Sequence, residues 1–385
     1  MNAGRVLLSI AALAFAGAAA ANGFDRVSGD TATAERLVPG SFRAEAHRAA
    51  ASIELAQGES GKALAAARKA VASDPIDPAS TALLGTSLLL SGDEDGAERA
   101  FRVAARFGWR NFATQAYWYD AALSVGDFRV AADRADALLR AYPQFANEAA
   151  FLQPFEDSPE GRRVLAERLQ SRPPWLANYL DMSRGITAET LERHFAVLRE
   201  ASSLGDAIVC SDIAGMTGVL LEHGRRADAE ALWNGYCPDQ RVAGPIADPT
   251  FARALPGNAE PFPFAWRVHS SGDLSVRRAE GGGGLVMSLQ APGTRLVLSQ
   301  AVSLEPGRYR FRVSSESGGA GGAGRLSLSW ACDGPPRFPR QVEGDLQGAG
   351  QVISVEPCSR QRLGLWLSGG RSVQLRAIEV EGLGG

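Results

Sequence analysis

Between Ala44 and Phe145 the same landmarks return three times at a spacing of 34 residues: Gly58, Gly92 and Gly126, each followed five residues later by Ala63, Ala97 and Ala131. A fixed period of this length restricts the chain to stacked supersecondary units, because each unit leaves an apolar face that only its neighbour can cover. Each unit reads as an apolar helix, a Gly-acidic turn (Gly58-Glu59, Gly92-Asp93, Gly126-Asp127) and a second helix. Glycine allows the tight reversal, and alanine lets two helices approach closely.

These landmarks resemble the tetratricopeptide repeat. The second unit, Pro78 to Asn111, fits best through Leu84-Gly85 and Leu88 on its first helix and Ala97, Phe101 and Ala104 on its second. The first contributes Ala50-Ala51, Ala63, Ala70 and Pro75, although Glu54 stands where the family usually carries a large apolar side chain. The third contributes Trp118-Tyr119, Ala122, Ala131 and Pro143. The resemblance implies an α-solenoid whose first helices line a groove for a protein or peptide, here exposing Arg48, Ser52, Thr86, Tyr117 and Asp120.

Upstream, a single early cation, Arg5, precedes an apolar run from Val6 to Ala21 that closes on small residues. This outlines a secretory signal peptide over 1–21, cleaved near Ala21. The run has 16 residues, short of the roughly 20 that span a bilayer, so a membrane attachment is expected only if that segment is retained. Residues 22–43, broken by Pro39-Gly40, read as a flexible lead-in.

Helical patterning continues over 146–237 without the strict period, with Pro159 and Pro173-Pro174 at helix starts and a run entered at Thr187. Its last hairpin returns to the repeat plan: Gly224 is followed at five residues by Ala229, and Cys210 and Cys237 lie 14 residues before and 13 after that glycine. Antiparallel packing brings the two cysteines together, and in an exported protein a disulfide follows. The four cysteines are separated by 27, 95 and 26 residues, without the tight pairs a zinc site needs. No metal or cofactor is therefore expected, and Cys332–Cys358 is the second disulfide, with Cys332 in the inward phase of Trp330 so that the bridge staples two strands of the core.

Six of the 20 prolines fall within 238–263, a linker with a first edge strand expected at Asp248-Pro249-Thr250-Phe251. From there, over 246–385, apolar residues alternate with period two: Leu285, Met287 and Leu289; Tyr309, Phe311 and Val313; Leu326, Leu328 and Trp330; Leu363, Leu365 and Leu367. Such alternation predicts antiparallel sheets packed face to face. Gly281–Gly284 and Gly318–Gly324 read as loops, since neither opens a helix with a Lys-Ser/Thr. The fold class expected is thus multidomain α plus β, an α-solenoid followed by an antiparallel β-sandwich.

The run Gln300-Ala301-Val302-Ser303-Leu304-Glu305-Pro306-Gly307-Arg308-Tyr309, with the closing strand Val373 to Val380, resembles galactose-binding-like jelly rolls and carbohydrate-binding modules. That resemblance implies a glycan ligand. The outward Arg308, Arg310 and Arg312 and the out-of-phase Trp366 are the residues suited to it, by guanidinium pairing with acidic glycans and by ring stacking.

With 40 basic against 43 acidic residues the formal charge is -3, which lacks the polycation field that drives nucleic-acid binding. His47, His194, His223 and His269 are scattered, and no nucleophile elbow, metalloprotease spacing or phosphate loop is present. The expected function is a non-catalytic exported scaffold, binding a protein through the helices and a glycan through the sandwich, in envelope or exopolysaccharide assembly. Its alternatives are a purely structural adaptor with the sandwich docked on the solenoid, and a glycan-active enzyme whose paired carboxylates converge from distant positions.

Overall fold

The computed structural model describes residues 3–27, 38–181, 186–255, 262–280, 283–317, 324–369 and 372–383. Helices occupy the N-terminal part of the chain and two antiparallel sheets the C-terminal part. Chain contacts divide the protein into two units, Met1–Phe145 and Ala146–Gly385. The glycine-rich stretches at 281–282 and 318–323, the lead-in over 28–37 and Pro261 of the linker lie outside the described residues.

In the first unit α1 (Ala3–Arg26) runs five residues past Ala21. Three helical hairpins follow: α2 (Ala44–Ala56) with α3 (Ser60–Ser73), α4 (Pro78–Leu90) with α5 (Glu94–Ala105), and α6 (Phe112–Ser124) with α7 (Phe128–Ala141). The repeat landmarks explain them. Gly58, Gly92 and Gly126 all adopt positive φ, at 78°, 83° and 73°, which a side chain would strain. Ala63, Ala97 and Ala131 are fully buried where the two helices of each hairpin touch. The acidic turn residues Asp93 and Asp127 cap the second helices by accepting from Gly96 N and Val130 N. Between hairpins, Phe101 packs with Ala82, Leu88, Ala97 and Ala104 and is covered by Tyr117 and Trp118. The first hairpin is capped from outside itself, since buried Asp25 accepts from Glu45 N at 2.8 Å and Ala46 N at 3.3 Å.

The second unit opens with α8 (Ala149–Asp157), α9 (Pro159–Gln170), α10 (Leu176–Tyr179) and α11 (Ala188–Ser202), then the hairpin α12 (Cys210–Glu222) and α13 (Arg226–Tyr236). Pro159 occupies the first turn of α9 behind the cap Ser158, and Thr187 caps α11. Gly224 turns the last hairpin at φ 75°, and a disulfide joins Cys210 to Cys237 across its open end, with Cα atoms 5.5 Å apart.

Two sheets complete this unit. One has the order β1 (Arg267–Val268), β4 (Thr294–Val302), β9 (Gln361–Ser368), β6 (Arg325–Cys332). The other has β2 (Leu274–Arg278), β3 (Leu285–Leu289), β10 (Ser372–Gly382), β5 (Gly307–Ser317), β8 (Gly350–Val355), β7 (Glu343–Asp345). Leu298, Leu328 and Leu365 of the first meet Met287, Phe311 and Leu375 of the second in one core, the packing expected of a sandwich.

Two sequence expectations differ from the structure. No strand forms over Asp248–Phe251: Pro249 has no N–H to give a ladder, and Asp248 instead accepts from Ala252 N and Arg253 N in a turn that drives Phe251, at φ 58°, fully into the core. The Cys332–Cys358 disulfide lies at the rim rather than within the core, because Cys332 ends its strand exposed while Trp330 alone keeps the inward phase.

Candidate functional site

The four-stranded sheet turns one face to the core and carries on the other a set of residues that pairing aligns. Arg267 stands opposite Ser299, and Ser299 opposite Gly364; Ala301 stands opposite Arg362. Along β9 the outward positions are therefore Arg362, Gly364 and Trp366. Gly364 is required by a close approach: a Cβ there would lie 2.4 Å from Pro336 Cβ, so the segment after β6 lies directly upon the sheet. Its Phe338 meets Trp366 edge-on at 5.7 Å, and Trp366 donates to Ser329 Oγ at 2.8 Å.

On the Arg362 side of this loop the sheet remains open, and the end of α12 forms the opposite wall. Gly224 touches the connection between β8 and β9 so closely that a Cβ would lie 2.7 Å from Ser359 O. Buried Arg226 donates to Ala301 O and to Gly244 O and pairs with Glu230, while Trp233 packs edge-on to Phe264. The result is a cavity of 320 Å³ bounded by Arg267, His269, Ser299 and Arg362 on the sheet, Leu221 and Glu222 on the helix, and Asp333, Pro335 and Pro336 on the loop.

Its electrostatics are uneven. Asp333 is tied to Arg360 at 3.2 Å and to Ser359 Oγ at 3.3 Å. Among the described residues Arg267 and Arg362 make no side-chain hydrogen bond or ion pair. His269 Nε2 shares a hydrogen bond with Ser299 Oγ at 2.9 Å. Burial, and then the Arg267 and Arg362 charges, hold the imidazole below its usual pKa, so at neutral pH it is uncharged. Two guanidinium groups beside a hydroxyl and an imidazole are the kind of donors that pair with an anion.

The residues expected for glycan binding are distributed otherwise. Trp366 belongs to the four-stranded sheet, whereas Arg308, Arg310 and Arg312 lie on β5 of the six-stranded sheet, so the structure does not bring them together. The arginines do face outward, but they are answered by carboxylates of other strands of the same sheet: Arg308 by Glu343 of β7 at 2.7 Å, Arg310 and Arg312 by Glu381 of β10 at 3.4 and 3.9 Å. Among the helical groove residues, Arg48 pairs with Glu45 and, at 2.6 Å, with Asp77. Burial opposes ionisation of Asp77, but Ser80, the Ala79 N–H and Arg48 outweigh it and hold this carboxyl below its usual value. Ser52 and Thr86 donate to Arg48 O and Ala82 O, four residues back on their own helices. Tyr117 stacks on Phe101 at 4.2 Å, and Asp120 is exposed. A separate hollow of 410 Å³ in the array, walled by Leu84, Leu88, Ala100 and Val103 with Arg68 and Arg99 among its residues, includes none of these five.

Two other clusters carry chemistry. Glu156 accepts from Tyr179 Oη at 3.0 Å and lies 3.1 Å from His194 Nε2 and 3.4 Å from Arg193 Nε. All of Glu156, Tyr179 and His194 are buried, and the cluster ties α8, α10 and α11 together. Cys332, Asp333 and Cys358 are grouped closely enough for a metal, but the two sulfurs are bonded to each other and offer no thiolate.

Sequence reasoning missed Arg267, His269 and Arg362. A signal existed: Trp266-Arg267-Val268-His269 alternates with Trp266 buried, but it follows immediately on the proline-rich linker and is too short to register as a strand. Extending the outward phase of Trp366 back through Gly364 reaches Arg362. The chain matches no protein-family model and no curated protein.

Proposed function

We propose that the protein is an exported, non-catalytic binding protein whose sandwich holds a small anionic ligand in the cavity beside the last helical hairpin, and whose tetratricopeptide-like array takes a protein or peptide partner. The sandwich is read as carbohydrate-binding-like, with envelope or exopolysaccharide assembly as the setting. The observation that carries the ligand site is the pair of guanidinium groups of Arg267 and Arg362, which among the described residues make no side-chain hydrogen bond or ion pair and stand beside His269 and Ser299. Exposed Arg267 and half-buried Arg362 keep their donor forks available to a ligand carboxylate.

Export rests on the leader and on two disulfides, which fit an oxidising compartment. Among the described residues no helix is long and apolar enough to cross a membrane. Cleavage at Ala21 leaves Asp25, the residue that caps the first hairpin, in the mature chain. The periplasm or the medium is the proposed location.

The adaptor reading is favoured by a different observation, the Arg226 and Trp233 contacts that fasten the sandwich to the last hairpin. The two readings part in one experiment. A glycan array probed with the full chain retains acidic glycans under the first reading, and retention drops in the Arg267→Ala/Arg362→Ala variant. Absence of any glycan signal, together with normal cross-linking of a protein partner in the exporting cell, leaves the adaptor.

A further inference from the structure

We infer that the cavity between α12 and the four-stranded sheet is a receptor for one sugar acid, a single hydroxylated ring bearing a carboxylate. The inference deepens the ligand-binding reading above and rests on it.

The chemistry of the walls divides into three. On the sheet, Arg267 and Arg362 present two planar donor forks, and the hydrogen-bonded Ser299 and His269 line the same cavity. Guanidinium groups match a carboxylate bidentately, which sets direction as well as affinity. On the facing walls, Glu222 and Asp333 are acceptors, Asp333 already tied to Arg360, which also lines the cavity. Glu222, which has no such pairing among the described residues, accepts hydrogen bonds from ligand hydroxyls and repels a second negative charge. That combination disfavours phosphate, which carries more than one charge at neutral pH, and favours a monoanion rich in hydroxyl groups. The third element is apolar: Leu221, Leu296, Pro335 and Pro336 offer surface to the C–H face of a ring. A volume of 320 Å³ lies at the small end of ligand pockets, roughly 300–1,000 Å³, and suits one ring rather than a chain.

The carboxylate can belong to a free sugar acid or to a terminal uronate of a polymer, and the titrants separate these sources. Ligand-observed NMR and calorimetry on the full chain use glucuronate, its neutral amide glucuronamide, glucose, inorganic phosphate and a trimeric oligogalacturonate. Glucuronate is expected to bind at least tenfold more tightly than glucose or glucuronamide, and phosphate to compete at least tenfold less well. A trimer that binds no worse than the monomer indicates a polymer end; one that is excluded indicates the free acid.

Arg267→Ala and Arg362→Ala each weaken glucuronate at least tenfold, and Arg362→Lys restores only part of the loss because a point charge lacks the fork. Arg308→Ala, on the six-stranded sheet, leaves binding unchanged. Retained disulfides and an unchanged thermal midpoint exclude misfolding in each variant. Glucose or glucuronamide binding as well as glucuronate, or phosphate displacing it at equal concentration, overturns the sugar-acid assignment. Binding of the trimer that survives both arginine variants overturns the location while leaving the protein a glycan binder.

Discussion

Adding one methyl group at Gly85 tests how the helical repeat is packed. In an exposed helix, Gly→Ala stabilises by about 1 kcal/mol through backbone entropy. Here a Cβ would meet the Phe101 ring at 2.9 Å from Cε2 and 3.0 Å from both Cδ2 and Cζ. The ring has little room to retreat, since Tyr117 stacks on it at 4.2 Å and it is buried among Ala82, Leu88, Ala97 and Ala104. Overpacking of this kind costs about 1–3 kcal/mol, so Gly85→Ala should destabilise the second hairpin by a net value on the order of 1 kcal/mol after the propensity gain. In a Phe101→Leu background the obstructing ring edge is gone and the propensity gain stands alone, so the same substitution should stabilise by about 1 kcal/mol. The coupling between the two sites is then roughly 2 kcal/mol, within the range for residues in contact. Hydrogen exchange read by mass spectrometry on peptides covering Pro78–Leu90 and Glu94–Ala105 reports this local opening without requiring the whole chain to unfold in one step. Equal destabilisation by Gly85→Ala in both backgrounds would refute the reasoning, because it would mean that the ring is not what the methyl group meets.

Three further outcomes follow from the second unit. Arg226 is buried, its pKa lowered by burial despite Glu230, and it serves two carbonyls; Arg226→Met should cost about 3 kcal/mol in urea unfolding of this unit, as when one partner of a buried pair is removed. The Cys210→Ser/Cys237→Ser variant opens a loop of 27 residues and should lose about 3.5 kcal/mol on the chain-entropy account, read as a lower denaturation midpoint at unchanged secondary structure. His269 has a folded-state pKa below its unfolded value of 6.5, so its contribution to stability is present above that pH and is lost as the pH falls through the folded value. An anion seated among Arg267, Arg362 and His269 reverses part of that depression, so glucuronate should bind more tightly at pH 6 than at pH 8; with Glu222 and the paired Asp333 and Arg360 the other charged groups in the cavity, an affinity that falls on acidification would count against the site.

Much of the architecture was legible because it depends on local rules. The glycines at 58, 92, 126 and 224 are required by a backbone conformation that few other residues adopt, and the alanines five residues later by the closeness of two helices. Alternation of apolar residues identified the faces of β5 and β9 from the pleat alone. Placement of the candidate site was not legible, since Arg308, Arg310 and Arg312 look in the sequence like a free cationic stripe. Glu343 and Glu381, which answer them, come from strands more than thirty residues away, and nothing local announces that pairing.

The sequence by itself thus determined the helical hairpins, the strand faces and the partners of each disulfide, because turn geometry and side-chain periodicity act over a few residues. Tertiary structure alone decided which charges meet. It set Trp366 and the β5 arginines on different sheets, laid Pro336 over Gly364, and closed a cavity with Arg267, Arg362 and Glu222 from three separate segments. The physical reason is that a strand's register with its neighbours is fixed by burial of the whole core, and only that register brings residues about a hundred positions apart, Arg267 and Arg362, onto one face.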